Sequence, residues 1–416
     1  MELDFIVSGP YQAAIVLLIV WGVIFATAKA LKLERFGVTL KPYSLVYKNY
    51  KIQTTLTRLL GRTRRGIRVF ADVSVIAGFL MMGYAFWFLL LNMSNYFAEP
   101  TEFVAMTPVI PGVTVTSWEH ILSFLLAIPI VLVVHEGAHG IVATLEKIKI
   151  KTGGFGVIIA LFYGFVEPDE KEFDSAKKIS KLRLIGAGAT ANVIFAFALG
   201  AIMITNPMFG AVIAPLPGGE SVLGLFYESP EVREGVLIVE IIEGSGAEKA
   251  GIQKNDVIIN VDDVRIISAE DLSKPDLKPG QTVDVTVLRD GQEVTFSVLI
   301  MASPDDPERG LIGIMRDIAM PFKPIYNYIE WDFENEMVYY ISLYLLWLWM
   351  ISFFIGIINM LPLPILDGGK FIHSIIDKKI SEKLVNGTMI AVYAVTFIVF
   401  VGNIALTYVK DGWFTI

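Results

Sequence analysis

Long uncharged apolar runs alternate with short polar connections along this chain, and run length sorts them into elements. A bilayer core about 30 Å thick is crossed by roughly 20 apolar residues in helical form. Six stretches reach that length: Phe5 to Ala28, Val73 to Ala98, Ile121 to Leu145, Leu184 to Pro207, Met337 to Met360 and Leu384 to Val409. Five of them contain no Asp, Glu, Lys or Arg, whereas the third carries His135, Glu136 and His139 in its second half. Two segments break the helical pattern. TGGFGVIIALFYGFV, Thr152 to Val166, is apolar but too short to span as helix, and its four glycines among Val, Ile, Phe and Tyr favour a β-hairpin. From about Glu231 to Ile300 the text alternates like soluble strands, with a hairpin expected at Asp290-Gly291.

Composition supports the membrane reading: 54% of the 416 residues are apolar and 18% are charged. Ordinary soluble domains are roughly 45–50% apolar and about 25% charged. With no cysteine, thiolate nucleophiles, disulfides and iron–sulfur clusters are excluded, and any metal site must use carboxylates and the four His. A net charge of −8 argues against a nucleic-acid partner. The opening MELDF lacks the basic region of a cleaved signal, so the first run is expected to be a retained span.

Positively charged connections stay in the cytoplasm. The first connection, Lys29 to Arg68, has eleven basic residues and the single acid Glu34, while the second, Glu99 to Glu119, has no Lys or Arg. The third and fifth are again basic. The expected orientation therefore puts both termini and the long fourth connection outside, with odd connections inside. Asp72 is expected to pair with Arg68 at helical spacing. An extended hairpin at membrane depth needs a wet or protein-lined cavity for its backbone, so Thr152 to Val166 is expected to be re-entrant; a hairpin on the bilayer surface is the alternative.

The chemistry concentrates in VVHEGAHG, Val133 to Gly140. His135 and His139 stand four apart, so both imidazoles leave one helix face and can hold one ion, with Glu136 placed to take a proton from water on it. Ionisable groups inside a span are costly and usually face a functional interior. A catalytic zinc needs a third protein ligand and an open position. Asp367 follows the run Met337 to Leu366, and topology brings it to the depth of the two histidines. Pro362 and Pro364 bend the chain there or simply stop the helix, and Gly368-Gly369 permit a tight turn. His120 is expected at an outer boundary, His373 in a solvated loop, and Trp347 and Trp349 in lipid-facing or helix-packing positions.

The HEGAH run, followed at a distance by Asn359-x-x-Pro362-x-Pro364-x-Leu366-Asp367-Gly368-Gly369, resembles the site-2 protease family of intramembrane zinc metalloproteases. The strands after Glu231 resemble a PDZ domain through Gly244-Ser245, Ala250-Gly251-Ile252 and Asp256-Val257-Ile258. The resemblance implies one Zn2+ held by His135, His139 and Asp367, with Glu136 activating water. The family's Gly-Pro-x-x-Asn pattern appears as Gly188-Ala189-Thr190-Ala191-Asn192, with Ala189 replacing the proline. Asn192 and Asn359 would be amide donors to substrate or oxyanion; interhelical hydrogen bonding suits them equally.

The expected fold is a polytopic α-helical membrane protein with six transmembrane helices, a re-entrant β-hairpin and an inserted extracytoplasmic α+β PDZ-like domain. Its expected divisions are 1–118 (flanking helices and basic loop), 119–207 (first part of the core), 208–316 (PDZ-like), 317–376 (second part of the core) and 377–416 (flanking helix). The expected activity is hydrolysis of peptide bonds within transmembrane segments of single-span substrates, from a site near the cytoplasmic side of the cell membrane. A peptide tail at the PDZ-like domain is the further partner. An inactive scaffold that captures protein tails is the competing reading; a transporter is disfavoured by the uncharged spans and the lack of an internal repeat.

Overall fold

The apolar runs fold as helices α1 Pro10–Ala30, α2 Ile52–Ala98, α3 Trp118–Leu145, α4 Lys178–Met203, α5 Glu336–Asn359, α6 Asp367–Ile376 and α7 Glu382–Asp411. They belong to a computed structural model that describes residues 10–411, apart from 112–113, 116, 159–160, 214–215, 217–218, 220–222, 229–234, 243, 255, 267–270, 273–274, 276, 290–291, 303–309, 317–322, 326–327, 330, 332–334 and 377–380. Five helices among the described residues are long and apolar enough to cross a membrane: Thr63–Ala98, Trp118–Leu145, Lys178–Met203, Glu336–Asn359 and Glu382–Lys410. The run expected as the first span forms α1 from Pro10 onward, and its first five residues lie outside the described ones. Two compact units result, one from Met1–Met203 with Trp331–Ile416 and the other from Ile204–Glu330. The second unit is thus wider at both ends than the expected 208–316.

In the first unit α3, α4 and α5 pack on one another, α2 lies against α3 and α4, and α7 lies against α2. Small residues set these distances, as is usual where helices meet in a membrane. A methyl at Gly186 would stand 2.5 Å from the Ser74 carbonyl oxygen, and one at Gly356 would stand 2.7 Å from Val193 Cγ2 and 3.0 Å from the Ala189 carbonyl oxygen. Outward positions stay apolar: Leu80, Phe197 and Ile390 are each 68% exposed. Trp347 and Trp349 are buried, which decides for helix packing. Trp347 Nε1 also donates to His120 Nδ1 over 3.2 Å.

Helix α2 begins 21 residues before the expected Val73, since Arg and Leu in the basic stretch favour helix and the chain bends at Thr63 (φ −135°, ψ 22°). This extension changes the ion pairs. Arg68 Nη1 binds Glu146 Oε1 at 2.9 Å, and Arg183 bridges Glu146 Oε1 at 3.2 Å to Asp72. The expected Asp72–Arg68 pair is therefore corrected to pairs across helices. The end of α3 and the start of α4 meet the interior of α2 there, around the nearly buried Glu146, which also accepts from Ser180 Oγ.

Sequence reading also missed two strands. The basic connection folds part of itself into β1 Val38–Lys41 and β2 Ser44–Asn49, joined at Pro42-Tyr43. They extend the hairpin of β3 Ile150–Ile158 and β4 Leu161–Pro168 into an antiparallel sheet of order β1-β2-β3-β4. Ser44 faces Ile158 and Asn49 faces Gly153 across β2 and β3. The far strand, β4, rests on α3.

The second unit carries its own apolar core, with Val236, Ile258, Val261, Val285 and Val298 fully shielded. Its main strands are β5 Val236–Ile241, β6 Val257–Val261, β7 Thr282–Arg289, β8 Gln292–Leu299 and β9 Ile314–Arg316, in the antiparallel order β8-β7-β6-β5-β9. The expected turn and short helix appear as Gly246–Ala250, capped by Ser245, whose hydroxyl accepts from Glu248 N, and closed by Gly251 at φ +89°. The expected hairpin pairs Arg289 with Gln292; its tip, Asp290-Gly291, lies outside the described residues. So does most of the helix expected at SAEDLSK.

Candidate metal centre

Helix α3 presents His135 and His139 toward α4 and the start of α6, four residues apart and therefore on one face. Both are buried, at 5% and 9% exposure. Asp367 is the first residue of α6. Its neighbours explain how it gets there: a methyl at Gly368 would sit 2.1 Å from the Met360 carbonyl oxygen, and one at Gly369 would sit 2.2 Å from that of Leu363. The glycines serve close backbone approach, so α6 folds directly back on the end of α5.

The result is a triangle of donor atoms. His135 Nε2 and His139 Nε2 each lie 3.1 Å from Asp367 Oδ2 and 3.1 Å from each other. Two nitrogens and a carboxylate oxygen form a donor set suited to catalytic zinc, and bonds of about 2.0–2.1 Å in tetrahedral geometry give edges of about 3.3 Å. Room for this triangle comes from α4. A methyl at Gly188 would stand 2.3 Å from His139 Nε2 and 2.7 Å from His135 Nε2. The imidazoles are held from behind by the same helix: His139 Nδ1 donates to the Leu184 carbonyl oxygen at 2.8 Å, and Asn192 lies 3.2 Å from His135 Nδ1. A donated Nδ1 proton leaves Nε2 with the lone pair that a cation needs.

A cavity of about 1080 Å³ opens on the triangle, walled by α3, β4, α4 and the α5–α6 turn. Glu136 and Asn359 both line it. Glu136 is half-buried under β4, where a methyl at Gly164 would stand 2.7 Å from its Cγ. Asn192 is fully buried and lies off the cavity wall. His120 sits on α3 fifteen positions before His135, bonded to Trp347 as described, and His373 is exposed on α6, which is helix where a loop was expected.

Three contributors escaped sequence reading. The Leu184 carbonyl leaves no trace in residue identity. Gly164 is one of the four glycines that favour the hairpin and Gly188 opens the Gly188–Asn192 pattern, but nothing local marks which side chain will fill the space a glycine leaves.

Residues 123–402 match the family model described as peptidase family M50. An uncharacterized protein of Methanocaldococcus jannaschii is 26% identical over 369 residues, covering 85% of this chain and 82% of that one. Zinc metalloprotease RasP of Oceanobacillus iheyensis is 24% identical over 248 residues, which is 50% of this chain and 53% of RasP. Among solved structures, the PDZ domain of an SdrC-like protein from Listeria innocua matches 20% of this chain and 93% of its own at 23% identity, with a TM-score of 0.18.

Proposed function

Since the chain belongs to peptidase family M50, the site-2 protease family, and is a multi-pass membrane metalloprotease, we propose that it hydrolyses peptide bonds within transmembrane segments of single-span substrates, using one zinc ion, and that Ile204–Glu330 serves as a PDZ-like domain. The observation that carries this reading is the 3.1 Å triangle of His135, His139 and Asp367 on the floor of a cavity. Held by His135, His139 and Asp367, zinc would lower the pKa of a water toward roughly 7 and would polarise a peptide carbonyl. Glu136 takes the proton and returns it to the leaving amine. Asn359, on the cavity wall, donates its amide to the substrate carbonyl as charge develops.

A substrate helix hydrogen-bonds its own carbonyls and must unwind before attack. Strand β4 pairs only with β3 among the described residues and lines the cavity with its other side. An unwound segment adding to that edge recovers the lost bonds. This use of β4 fits a re-entrant hairpin, a site near the cytoplasmic face, and both termini and the PDZ-like unit outside, as the Lys/Arg bias indicates. The PDZ-like unit would then meet the exposed tail of a substrate. The inactive scaffold leaves the converging ligands and their cavity without a role.

Glu136→Gln is the decisive variant. It should retain stoichiometric zinc while cleavage of a single-span substrate in detergent disappears, because the amide cannot accept the water proton. Turnover at the wild-type rate would remove Glu136 as the base.

A further inference from the structure

We propose that Asn192 is the positioning residue for His135: its side-chain oxygen accepts the Nδ1 proton of that imidazole, fixing the ring and the tautomer that leave Nε2 free to ligate. The amide of Asn192 is fully buried and stands 3.2 Å from His135 Nδ1 with its nitrogen forward, while Oδ1 is buried with no hydrogen-bond partner among the described residues. A forward nitrogen would have to donate to Nδ1. The ring proton would then sit on Nε2, the atom that lies 3.1 Å from both His139 Nε2 and Asp367 Oδ2. That tautomer has no lone pair at the triangle. The two ends of an amide exchange by a half-turn and are assigned from their hydrogen bonds. Turning this one gives the orphaned oxygen a donor and His135 the tautomer of a metal ligand.

Helix α4 then supports both imidazoles in the same way. The Leu184 carbonyl accepts from His139 Nδ1 at 2.8 Å, and the Asn192 oxygen, eight residues along, accepts from His135 Nδ1. A substrate contact for Asn192, one of the two roles its motif suggested, conflicts with its burial away from the cavity wall. The inference rests on the zinc reading of the site and assigns a function that the Glu136→Gln test does not touch.

The test uses the full chain purified in detergent, with zinc affinity measured by chelator competition and the visible spectrum of the cobalt-substituted protein recorded. Asn192→Leu keeps the volume and deletes the acceptor; zinc affinity should fall about 10–100-fold with a changed cobalt spectrum. Asn192→Asp keeps an acceptor and cannot donate, so its affinity should stay close to wild type; this variant decides the matter even if the leucine variant fails to fold. Loss of affinity in Asn192→Asp would show the amide acting as donor and overturn the inference. Wild-type affinity in Asn192→Leu with slowed cleavage would overturn it as well, pointing to substrate contact. A wild-type chain that binds no zinc would sink the metal centre itself, a failure distinct from these.

Discussion

Two glycines with no chemistry of their own control the chemistry at the centre. The added methyl of Gly188→Ala would meet His139 Nε2 at 2.3 Å, and α4 cannot retreat while Gly356 and Gly186 hold it against α5 and α2. Zinc affinity should fall at least about tenfold, measured by chelator competition, since the ligand rings must turn away. Gly164→Ala acts on Glu136, the proposed base, instead. Its methyl would press on Glu136 Cγ at 2.7 Å and on Leu132 Cβ at 3.5 Å. Displacing a reacting group by about 1 Å lowers rate by about 100-fold. Zinc content should remain stoichiometric while kcat drops by that order. The two variants therefore separate ligand geometry from proton transfer.

Charge joins the end of α3 and the start of α4 to the middle of α2. Glu146 receives Arg68 from α2 and Arg183 from α4, with its own side chain 7% exposed. Removing one partner of a buried pair strands the others and costs about 3–5 kcal/mol. Arg68 is 42% exposed and Arg183 is 17% exposed, so water relieves part of that penalty. Glu146→Ala should lower stability by about 1–3 kcal/mol, read as a reduced midpoint in thermal unfolding, with zinc still bound in the folded fraction. A midpoint equal to wild type would mean that these guanidiniums are adequately solvated without the carboxylate. At the same scale, β1 and β2 show how a sheet was overlooked. Val38-Thr39-Leu40-Lys41 and Ser44 to Asn49 alternate about a proline turn, but the dense Lys and Arg of the connection read first as a topology signal.

His135, His139 and Asp367, the proposed base Glu136 and the cavity wall belong to the unit formed by Met1–Met203 and Trp331–Ile416, while Ile204–Glu330 has a separate apolar core. Replacing Ile204–Glu330 by a flexible Gly/Ser linker should leave zinc affinity within about threefold of wild type, because none of the ligands or the α4 supports that raise their basicity is removed. Chelator competition on the shortened chain checks this. A large loss of affinity would mean that Ile204–Glu330 is required to hold α4 and α5 in register.

The chain alone announced five long apolar helices, the four-residue spacing of His135 and His139 and the inserted strands, because those follow from run length, helical spacing and alternation, which are local. It carried no record of which helix lies behind His135 and His139. That came from tertiary packing: the Leu184 carbonyl, the buried Asn192 and the empty volume at Gly188 matter only because α4 crosses α3 at that height. The choice of Glu146 over Asp72 for Arg68 has the same origin, since partners 78 positions apart compete with one four positions away only after the helices have docked. Three-dimensional closeness of distant segments depends on the shapes of both packed faces at once, and no stretch of sequence holds more than one of them.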